Sequence, residues 1–259
     1  MIRLLRVELL KIRTARTPFA LLVTAAGMTA LMASLDAARA GGKFTPPLTT
    51  SAGFSFIVTI IGFAQLMALI MGILVSTGEV RHGTATLTYL AVPRRGQVLV
   101  AKLLAGFSIG LIFGAVGAVT ADAVGIAFAA GKGDGVMVAA GTLIRFGVGA
   151  TVAGGVLAAL GVAVGSLVRF QLPAVVGALV WSLLVESVLG GVFGSASPYL
   201  PFTAASTLGG SRLGGGDIGM YSSSSVQPLP FAAATALVAG IAIVIAFMAS
   251  VTSVRADIS

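Results

Sequence analysis

Six stretches of this chain are apolar over close to the thickness of a bilayer, and they leave room for little else. They run roughly over residues 18–35, 53–77, 101–130, 137–166, 173–193 and 231–253. A helix needs about 20 apolar residues to cross the hydrocarbon core. The runs are continuous, whereas a transmembrane barrel alternates apolar and polar residues along strands of about ten residues, so helices are expected. Charged residues make up 9% of the 259-residue chain, against about 25% in a soluble domain. The mean hydropathy of +1.07 agrees. The expected fold is an all-α polytopic membrane protein, a single transmembrane domain over 1–259. The third and fourth runs exceed what a bilayer demands, which implies tilt or extension beyond it. Cysteine is absent, which excludes disulfides, thiolate nucleophiles and cysteine metal sites. The single histidine, His82, cannot build a metal site alone.

The charges that remain are arranged by side. With the N-terminus inside, the inner segments hold Arg3, Arg6, Lys11, Arg13, Arg16, Arg81, Arg94, Arg95, Lys102, Arg169 and Arg255. The outer ones hold Arg39, Lys43, Lys132 and Arg212, and Arg145 falls within a span. Eleven against four is the positive-inside pattern with both termini cytoplasmic. That pattern accounts for the net charge of +8 without nucleic acid as a partner. A cleavable leader ending near Ala38-Arg39-Ala40 is the competing reading of the first run, but the segment before it is long and itself amphipathic. In that segment, residues 1–17, Ile2, Leu5, Leu9 and Ile12 recur at helical spacing while Arg3, Arg6, Arg13 and Arg16 lean elsewhere. An interfacial helix with arginines against anionic headgroups is expected, bending at Pro18 into the first span.

The loop over 78–100 carries the densest interior charge. Gly78 and Gly83 loosen the end of the second span, and Thr84, Leu87, Leu90 and Ala91 make one ridge of a short helix that Pro93 stops. So short a helix is unstable unless it packs on something. A basic anchor touching only lipid would explain Arg94, Arg95 and Lys102, but not that delimited ridge. Glu79 reads most simply as solvated or paired near Arg81.

Glu79, Gly83-Thr84, Leu87, Leu90, Pro93, Arg95 and Lys102 resemble the E…GT…L…P…R…K pattern of type-2 ATP-binding cassette (ABC) exporter permeases. The likeness extends to the whole layout, including a Pro-rich outer segment after the fifth span. It implies that the Gly-Thr segment is a coupling helix seated in a cleft of a separate ABC ATPase subunit, present in two copies. It also implies a second permease subunit, most simply a homodimer, and two short re-entrant helices near 195–210 within the outer loop 194–230. In the same reading Glu79 caps the second span and pairs with the N-terminal helix. Lines of the second and fifth spans would face the pathway, with Phe63, Gln65, Met67, Met71 and Trp181 as candidates.

The chain has no G-x-x-x-x-G-K-[ST] phosphate loop: in "ARAGGKFT" the spacing fails and Phe44 stands where Ser or Thr is needed. No cofactor and no covalent chemistry are therefore expected of this chain itself, and ATP and magnesium would sit on the partner. Asp122, Arg145 and Glu186 lie within apolar runs, where ionisable groups are costly and point to function or to a buried pair. Counted from Gly133, Asp122 and Arg145 lie at similar depth, so a pair between them is expected, with Glu186 sharing Arg145 or near the outer surface. Gly106, Gly110, Gly114 and Ala118 recur every fourth residue, as do Ala150, Gly154 and Ala158, and Gly161 and Gly165. Small residues let membrane helices approach closely, within one bundle or between subunits. The expected function is the permease subunit of an ATP-driven exporter in a bacterial plasma membrane. A proton-coupled transporter using Asp122 and Glu186, and a non-transporting scaffold, are the alternatives.

Overall fold

Where water is absent, backbone N–H and C=O groups must be satisfied within the segment, so each apolar run closes into a helix. The computed structural model describes residues 2–42, 50, 57, 59–81, 83, 95–132, 140–209 and 229–255. Among these, every regular element is helical. The order is α1 (Ile2–Thr14), α2 (Arg16–Arg39), a 3-10 turn (Thr59–Ile61), α3 (Gly62–Arg81), α4 (Arg95–Gly131) and α5 (Ala140–Val168). The fifth span is α6 (Gln171–Val180), a π-turn (Trp181–Val185) and α7 (Glu186–Val192) in sequence. A 3-10 turn (Gly194–Tyr199), α8 (Pro201–Leu208) and α9 (Phe231–Arg255) follow. Six helices are long and apolar enough to cross a membrane: α2, α3, α4, α5, the composite fifth span and α9. The fold is that of a multi-pass membrane protein.

Several boundaries have local causes. The break between α1 and α2 falls at Ala15, which is extended at φ −77 and ψ 145, and not at Pro18. Pro18 sits in the first turn of α2, where its missing N–H is no loss. Gly78 does not loosen the second span but lies inside α3, which runs on to Arg81; beyond it Gly83 takes a φ of +68, which favours glycine. Between α5 and α6, Arg169 takes φ +64 in a two-residue link.

The bundle is built around α5, whose buried residues are mostly small, among them Gly149, Ala150, Ala153, Gly154, Gly155, Ala158, Gly161 and Gly165, with Val156, Leu157, Leu160 and Val162 between them. The small-residue series meet within this one chain. A Cβ on Gly110 would run into the Gly154 carbonyl oxygen, and one on Gly154 into that of Gly110. Gly161 lies equally close to the Leu69 carbonyl of α3. Without side chains in the way, backbones close to van der Waals contact, which drives association where lipid is as apolar as the helix. The helices differ sharply in burial. In α3 and α5, 61% of the most apolar window is buried, against 22% in α2, the fifth span and α9. The poorly buried group presents Phe19, Leu184 and Phe247 outward, as lipid-facing helices do.

Candidate functional site

The strongest polar assembly lies where α1 crosses the last turn of α3 and the second turn of α4. Glu8 projects from the inner face of α1, on the side of Leu5 and Ile12. Glu79 closes α3, and Lys102 sits in α4 with its side chain 6% exposed. The Lys102 ammonium lies 3.1 Å from Glu8 Oε2 and 2.8 Å from Glu79 Oε1. Lys11 repeats the bridge from the rim, 2.8 Å from Glu8 Oε1 and 2.7 Å from Glu79 Oε1. Two carboxylates and two ammoniums thus form a quartet that is neutral as a whole and ties three helices at one point.

Neutrality is what lets such a group be buried. Desolvation of each charge costs several kcal/mol, and only close opposite charges offset it. The same opposition acts at Lys11. Burial pulls its pKa down, but hydrogen bonds and charges from Glu79 and Glu8 outweigh this and raise it above the ordinary 10.5. A second link lies nearby, where Arg81 Nη1 donates to Gln171 Oε1 at 3.0 Å and joins the end of α3 to the start of α6. Glu79 is therefore paired with the N-terminal helix and α4, while Arg81 turns to α6.

The quartet brackets the loop singled out by sequence. Glu79, Gly83 and Lys102 are described; Thr84, Leu87, Leu90 and Pro93 lie outside the described residues, and Arg95 opens α4. The pathway candidates differ in exposure. Gln65 and Met71 are buried, and Phe63 and Met67 pack at the edges of apolar clusters. Trp181 is 43% exposed on the fifth span.

The three intramembrane charges do not meet. Among the described residues Asp122 and Arg145 form no ion pair. Depth is not the obstacle. The seam sets Gly110 against Gly154 and Gly114 against Ala150, and in that register Asp122 is level with Thr142. Arg145, nine residues from Gly154, is turned about half a revolution away at roughly 100° per residue. It therefore points off the far side of α5 and is exposed, while Asp122 is half-buried at the seam's edge.

Glu186 does not share Arg145 either. It is fully buried, and its carboxylate accepts from four donors. Oε1 takes Trp181 Nε1 at 3.1 Å and the Phe202 N–H at 3.0 Å. Oε2 takes the Thr203 N–H at 2.9 Å and Thr203 Oγ1 at 3.0 Å. At this same end of the bundle Lys132 Nζ donates to the Ala37 and Ala40 carbonyls at 2.9 and 2.8 Å, pinning α4 to the end of α2.

Glu8 and Thr203 are the residues that sequence reasoning missed. Glu8 carried a signal: it lies three residues after Leu5 and four before Ile12, on the apolar side of α1 where a carboxylate needs a partner. Thr203 carried none. No protein-family model matches the chain, and no curated protein matches it significantly.

Proposed function

We propose that this chain is the membrane-spanning subunit of an ATP-driven exporter of the type-2 ABC class. It does no covalent chemistry, and a separate ATPase supplies the energy. The observation that carries the reading is the quartet. Lys102 joins Glu8 and Glu79 at 3.1 and 2.8 Å, so the two helices on either side of residues 84–94 are clamped to each other and to α1. A loop that receives force from a motor needs such a clamp. Without one, the push would be absorbed by bending at Gly83, where φ is +68. Both termini and this loop would face the cytoplasm, where the basic residues gather. Residues 194–208 would form the outer re-entrant segment, and two copies of the chain would pair with two ATPase subunits.

In this mechanism ATP binding draws the two loops together. The clamp passes the motion to α3 and α4, and the glycine seam passes it to α5. Purification of the tagged chain from its native membrane in mild detergent tests the reading. An ATPase is expected with wild type and is lost from a Thr84→Arg/Leu87→Asp double variant. No ATPase with wild type refutes it.

A further inference from the structure

The exporter reading makes no use of Glu186, yet its carboxylate accepts from four donors. The reason lies in α8. That helix begins after Leu200, which offers no side-chain cap, and with Pro201, which has no N–H. The Phe202 and Thr203 N–H groups are then the first donors without a helical acceptor. Soluble helices meet this need with a local Ser, Thr, Asp or Asn. Here the acceptor comes from sixteen residues earlier, on α7. In apolar surroundings no water can take its place. The other end of α8 is held differently: the Leu208 carbonyl packs on Gly149 of α5.

The π-turn explains how Trp181 joins in. In an α-helix residues five apart lie about 140° from each other. The wider π-turn over Trp181–Val185 reduces that angle and lets the indole N–H reach Glu186 at 3.1 Å. Such turns are also where helices bend.

We propose that Glu186 fixes the start of α8 to α7, so that a bend of the span at the π-turn Trp181–Val185 is carried to α8 and, through its packing on α5 and α9, into the bundle. Glu186 is a positioning residue: it fixes α8 to α7, so the two cannot part when the span bends. Trp181 straddles that bend and restrains it. This inference concerns how the chain moves, whatever powers it, and stands apart from the exporter reading.

Amide hydrogen exchange of the full chain in lipid nanodiscs tests it. In wild type the Phe202 and Thr203 amides are strongly protected. Glu186→Ala is expected to raise exchange over 194–208 at least tenfold and to leave α3, α4 and α5 unchanged. Glu186→Gln preserves the side chain's shape but sets an NH2 where Oε2 accepted, so Thr203 loses protection while Phe202 keeps it. Trp181→Phe speeds exchange only around 181–186. Because Trp181 is the only tryptophan, its emission reports the clasp directly and shifts in Glu186→Ala. Unchanged exchange at Phe202 and Thr203 in both Glu186 variants overturns the proposal. So does a loss spread evenly through α3–α5, because Glu186 would then hold the whole fold and not the joint between α7 and α8.

Discussion

Among the described residues, charge is buried in two places by two different means. At the α1 end, two glutamates and two lysines cancel one another across three helices. At Glu186 a lone carboxylate is held by N–H and O–H dipoles, three of them from the start of one short helix. The first arrangement joins elements far apart in sequence and is spoiled by losing any single charge. The second joins neighbouring segments and tolerates a neutral replacement in part. Charge pairing thus suits a junction that transmits force between helices. Dipole solvation suits a joint between neighbouring helices.

Breaking the quartet is expected to cost most. Lys102→Met leaves Glu8 and Glu79 sharing only Lys11, and loss of a partner from a buried ion pair costs about 3–5 kcal/mol. Thermal unfolding in detergent should show it, and the double variant Glu8→Gln/Lys102→Met should recover part of the loss by restoring neutrality. An additive double variant contradicts the quartet. Glu186→Gln comes next, at about 1–3 kcal/mol for buried donors left unsatisfied. Thr203→Val should cost less still, about 1 kcal/mol, because only one of four donors is removed.

The glycine seam sharpens the comparison, because it holds without charge. Gly110→Val should be disruptive by about 1–3 kcal/mol or more, from a side chain forced against the Gly154 carbonyl, and Gly27→Val, which meets open space, should be near neutral. Equal effects would remove the seam from the account.

The smallest effect is on pH. The Lys11 pKa is raised above 10.5 in the folded chain, so its contribution to docking α1 is complete below 10.5. That contribution is lost only as pH rises through the higher folded value. Protease access to the Ala15 junction should therefore stay constant through neutral pH and increase in strong alkali. An increase between pH 6 and 8 contradicts this.

The spans were legible because bilayer thickness imposes a length on apolar runs, and continuity selects helix. The small-residue spacing was legible too, though only the structure shows that Gly110 meets Gly154 in the same chain. Depth arithmetic misled for Asp122 and Arg145, because it ignored which way each side chain turns. The Glu8 partner set was half legible, as a carboxylate on an apolar face. The Glu186 cap was not, since position 200 holds Leu and nothing local announces an acceptor on α7. The π-turn that delivers Trp181 has no sequence signature either.

Photo-cross-linking in the native membrane tests the central claim most directly. A benzoyl-phenylalanine placed at Thr84 or Leu87 would be irradiated in intact vesicles, with controls at Phe170 and Arg212, which the proposed topology assigns to the same and to the opposite side. The account predicts that positions 84 and 87 capture a nucleotide-binding ATPase and that positions 170 and 212 do not. Capture of lipid alone at 84 and 87 would contradict it.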